Sequence, residues 1–137
     1  MLSDKKLSPE QAFDIADAIQ AAAAAALLLR RSQKNTLTDQ EYAALIGKET
    51  ALRYDADRYR AVGITLLASN GALTAQELVS AIDSATEAIN NIRDIRRVLN
   101  IMSKIATLGV TIAGGNAQAI LTQISELKAT VKANAAV

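Results

Sequence analysis

An all-α fold, built as an elongated antiparallel bundle in a single domain, is predicted by three features of this chain. Twenty-eight of its 137 residues are alanine, the best helix former, and the single proline stands at position 9, so no ring breaks a helix after it. A hydroxyl residue precedes a Glu or Gln by three positions at Ser8 and Gln11, Thr38 and Glu41, and Thr74 and Glu77, which is the pattern of a reciprocal helix N-cap. Apolar residues recur in steps of three and four, the period of a helix that buries one face.

The first helix is expected near residues 9–32. Ser8 caps it, and Pro9 takes the first helical position, where a missing N–H costs nothing. Ala12, Ile15, Ile19, Ala22, Ala26 and Leu29 supply its buried face, and the run Ala21 to Ala26 suits close approach of a neighbouring helix. A second helix near 39–69 carries Tyr42, Leu45, Leu52, Ala56, Tyr59, Gly63 and Leu66, with Glu49 as a polar intruder paired to a nearby base. Asn70 and Gly71 are read as its left-handed cap.

A third helix near 75–107 follows Leu78, Ile82, Ala85, Ile89, Ile92, Ile95, Leu99 and Met102. Glycines 109, 114 and 115 around Val110, Thr111 and Ile112 mark a break before Asn116. The last helix, near 117–132, repeats the rhythm through Ile120, Ile124 and Leu127. Three long helices plus a shorter C-terminal one result, and short turns make successive helices antiparallel neighbours.

Composition then removes most chemistry. Without histidine or cysteine the chain has no imidazole or thiolate metal ligands, no Cys or His nucleophile and no disulfide. Fifteen Lys and Arg against fourteen Asp and Glu leave a formal charge of +1, a poor source of attraction for a polyanion. Aromatics are 3%, too few for base or sugar stacking. The expectation is a protein that is not an enzyme and holds no cofactor or metal. The start, MLSDKKLSPEQ, has no apolar run after its lysines, so a cytoplasmic location or a place in a larger particle is expected.

Four local patterns resemble known sites. Glu41, Ala43, Ile46 and Gly47 echo a helix-turn-helix, but the apolar residue needed near Arg53 is one position out, at Leu52. Asn70, Gly71, Leu73 and Glu77 match the later half of a calcium loop, whose first ligand positions here hold Leu66 and Ala68. Asp14, Asp17, Glu49, Asp83, Glu87 and Asp94 are carboxylates without the histidines that bundle metal sites use. Arg93, Arg96, Arg97 and Lys104 edge the third apolar stripe and are candidate anion contacts.

The distinctive feature is where charge is missing. No residue between Lys104 and Glu126 is charged, and Ala18 to Leu29 is also uncharged. Ile105 to Ser125 is long enough to cross a bilayer, yet its threonines, glutamines, asparagine and glycines suit protein contact better than lipid. The sequence therefore predicts a non-catalytic helical interaction or structural subunit that self-associates or docks on a protein partner. Gly109, Ile112, Gly114, Gly115, Ile120, Leu121 and Ile124 are its candidate interface, with Ala18 to Leu29 as the next place to look. The alternative is a membrane-active protein, of pore-forming or lysis type, that inserts the uncharged hairpin around 105–125. DNA binding through the helix-turn-helix echo ranks third.

Overall fold

The computed structural model describes residues 3–69, 71 and 73–135. Five helices form the bundle: α1 (Pro9–Ser32), α2 (Asp39–Val62), α3 (Ala75–Asn91), α4 (Ile95–Gly114) and α5 (Ala117–Ala135). Two short strands, β1 (Ser3–Lys6) and β2 (Thr65–Ser69), pair antiparallel and close one end.

Local chemistry explains the starts. Ser8 and Thr38 each accept from the backbone N–H three residues on, while the Gln11 and Glu41 side chains accept from the cap N–H, giving two complete capping boxes. Thr74 accepts from the Glu77 N–H to start α3.

Two ion pairs set α1 and α2 antiparallel. Arg60 Nη2 lies 2.6 Å from Asp17 Oδ1 towards one end, and Arg30 Nε lies 2.8 Å from Glu49 Oε2 towards the other. Around the bundle the packed neighbours run α2, α1, α3, α5 and α4, with α4 returning against α2. The direction alternates up and down along the chain, so α1, α3 and α5 run one way and α2 and α4 the other. Ala22, Ala23 and Ala26 are fully buried, and their short side chains allow α1 to sit close to both α2 and α3.

Three boundaries differ from the sequence expectation, each for a stated reason. The second helix stops at Val62, not 69, because Gly63 takes φ +77° and Thr65 to Ser69 form β2. The apolar residues of β2 matched helical spacing, but the N-terminal strand offers them a pairing edge, with Lys5 opposite Leu66 and Lys6 opposite Thr65. Gly71 has φ +85° in the loop after β2 and not at a helix end, and Asn70 lies outside the described residues.

The expected third helix is two. Its chain turns at Ile92, Arg93 and Asp94, where Ile92 is extended and the Asp94 side chain accepts from the Arg96 N–H to cap α4. The expected break at Gly109 does not occur, and α4 continues to Gly114. The left-handed residue is Gly115, at φ +73°, and α5 then extends to Ala135. Leu67 N–H donates to the Gly115 carbonyl at 2.6 Å, which ties β2 to the α4–α5 turn.

Candidate functional site

The uncharged segment meets its own chain first. Ile112 and Ile120 are buried, Ile124 is 5% exposed, and Gly109 and Gly115 are buried as well. These five positions belong to the core of one copy. Their apolar spacing looked the same as an interface stripe, because burial within a chain and burial between chains use the same residue types. Leu121 is half-buried, and Gly114 alone of the seven lies at the surface.

Gly109 lies where α4 crosses α2. The Tyr59 hydroxyl donates to its carbonyl, and Asp55 stands one turn before Tyr59 on the same side of α2. Asp55 is only 5% exposed, and burial raises its pKa while the Arg58 charge lowers it. Burial also pushes the Tyr59 hydroxyl up, with the Asp55 charge adding to the effect. Sequence reading missed Asp55, although its spacing from Leu52, three back, and Tyr59, four on, placed it on the buried stripe.

Glu49, the polar intruder, is buried and held in a fork. Arg30 donates from Nε to Oε2 at 2.8 Å and from Nη2 to Oε1 at 3.1 Å. Arg30 also donates from Nη1 to the Tyr42 hydroxyl at 2.9 Å, with its guanidinium carbon 5.1 Å from that ring's centroid. The hydrogen bond to Glu49 raises the Arg30 pKa further, so the guanidinium keeps its charge. The pair holds α1 and α2 in register.

The basic residues separate around the α3–α4 turn. Arg93 and Arg96 are exposed, while Arg97 lies 3.9 Å from Asp94 and donates to the Asn134 carbonyl at 3.4 Å. Lys104 is half-buried, farther along α4 beside Thr130 and Asn134. Arg93 and Arg97 line one hollow at this turn, while Arg96 and Lys104 line others. Helix α2 runs without a break through Gly47, Lys48 and Leu52, so the segment that echoed a helix-turn-helix contains no turn.

The surface is concave along the seam between α1 and α3. Near the start of both helices a depression of about 250 Å³ is lined by Asp14, Asp17 and Asp83 with Ala18, Ala21 and Val79. Near their ends a depression of about 470 Å³ has an apolar floor of Leu28, Leu29, Ile89 and Ile92, with Arg93 at its rim. A second hollow, about 580 Å³, opens on the other side of Arg93 and is lined by Glu87, Asn91, Asp94 and Arg97. Gln33 Nε2 donates to the Arg93 carbonyl at 2.8 Å, which fixes the end of α1 against this turn.

Leu28 is 64% exposed on the outward side of α1, beside the apolar depression. Helix α1 is also long and apolar enough to cross a bilayer by composition, with a mean hydropathy of 1.6 over 18 residues. Half of that stretch is buried against the bundle. Comparison with protein-family models, with curated proteins and with solved structures finds no match to this chain.

Proposed function

We propose that this chain is a non-catalytic helical interaction subunit that associates with copies of itself. One observation carries the reading. Leu28, Tyr54, Val62 and Val110 each stay more than 60% exposed on a bundle that already buries a large apolar core. Covering apolar area is worth roughly 25 cal/mol per Å², which favours covering such side chains. The absence of His and Cys from the sequence fits a role in assembly better than one in acid-base or nucleophilic chemistry.

Sedimentation equilibrium across a wide concentration range, with and without liposomes, tests the reading. A discrete oligomer free of lipid is expected. A monomer at every concentration overturns it, and recovery only with liposomes favours the membrane-active alternative.

A further inference from the structure

We infer that two copies associate about a two-fold axis through the outward face of α1, with the two helices antiparallel and centred between Ala21 and Ala24. This rests on the self-association proposed above and gives it a surface. Stepping by three or four along the exposed side, α1 presents Asp14 and Asp17, then Ala21, Ala24 and Leu28, then Arg31. Acid, uncharged centre and base follow in that order. A parallel pair would set acid against acid. An antiparallel pair centred between positions 21 and 24 sets Asp14 opposite Arg31 of the second copy, Asp17 opposite its Leu28, and Ala21 opposite its Ala24. The two-fold then makes each contact twice.

The seam beside α1 obeys the same symmetry. Because α1 and α3 run parallel, the acidic depression at Asp14, Asp17 and Asp83 and the depression lined by Leu28, Ile89, Ile92 and Arg93 lie towards opposite ends of the α1–α3 seam. The proposed axis lays one end on the other. Asp14, Arg31 and Arg93 are exposed, and among the described residues none of their side chains has an ion pair, so the charges are available.

Size is also adequate. The 24 residues of α1 span about 36 Å at 1.5 Å per residue. In the proposed register residues 13–32 overlap over about 30 Å, and a strip that long and two helices wide covers roughly 600 Å² per partner, the lower end of the ~1,200–2,000 Å² total of a specific interface. Exposed ion pairs add little affinity each, so the central alanines and the covered seam supply the attraction while the charges select the antiparallel arrangement.

The test uses Asp14→Arg and Arg31→Asp, singly and mixed, with the mass read by sedimentation equilibrium and helicity by circular dichroism. The wild type should be a dimer that weakens with salt. Each variant should keep its helicity and dimerise at least tenfold more weakly, since each places like charges together twice. Mixed in equal amounts, the two variants should regain the dimer, because every mixed contact then joins opposite charges. A wild-type dimer that neither reversal weakens, or variants that fail to dimerise on mixing, overturns this surface while self-association stands. A wild-type monomer overturns both.

Discussion

Asp55 presses its carboxylate onto α4 at Gly109 so closely that a Cβ on that glycine would stand 2.7 Å from Oδ2. The two helices approach here because one partner has no side chain. Gly109→Ala must therefore push Asp55 or the helix aside, at a cost of about 1–3 kcal/mol typical of an overfilled core. In the Asp55→Ala background the same substitution should cost much less. Denaturant unfolding of the four proteins in this cycle measures the coupling, and equal costs in both backgrounds would refute the contact.

The same carboxyl makes stability depend on pH. Burial raises the folded-state pKa of Asp55 above its unfolded value, so the folded form holds its proton longer. Its contribution is then most favourable below the unfolded pKa and is lost as pH rises through the folded one. Asp55→Asn cannot ionise. Its stability relative to the wild type should rise from acid towards neutral pH and then level off, as read by thermal unfolding at several pH values. A constant difference would show that Asp55 ionises in the folded protein as it does unfolded.

Arg30 and Glu49 should behave as a unit. Glu49→Ala strands a largely buried guanidinium and should cost about 3 kcal/mol, whereas Arg30→Met combined with Glu49→Leu should cost much less, because a paired apolar replacement leaves no charge behind. Urea midpoints of the two variants make the comparison. The reverse order would mean that the fork is idle.

Ile120 separates core from interface. It is completely buried within one copy, so Ile120→Asp forces a carboxylate into an apolar site at a cost of several kcal/mol, comparable with the ~5–15 kcal/mol that holds a domain folded. Loss of the helical circular dichroism signal is expected. A folded protein that merely lost its partner would move this residue to the interface.

The sequence made the caps legible, because Ser8, Thr38 and Thr74 act through neighbours three residues away. It also made the buried stripes legible, since periodicity is local. β2 was not, because Leu66 and Leu67 take their conformation from a strand some sixty residues earlier in the chain. The turn at Arg93 was obscured by an apolar rhythm that continues through Ile92 and Ile95, and Asp94 both caps α4 and lies 3.9 Å from Arg97. The surface was hardest to read. Ile120 and Leu28 are equally apolar, and only the assembled bundle separates the buried one from the exposed one.

The buried alanines of α1 make its mutability one-sided. At Ala22, Ala23 and Ala26 there is no methylene to remove, so the only smaller replacement is glycine, which lowers helix stability by about 1 kcal/mol. Every larger residue must wedge α2 or α3 away. The leucines and isoleucines of α4, by contrast, can exchange for one another or for methionine at similar volume. The seam at these alanines therefore has a narrow alphabet, and a run that looks like low-complexity filler is, along its buried side, little free to drift.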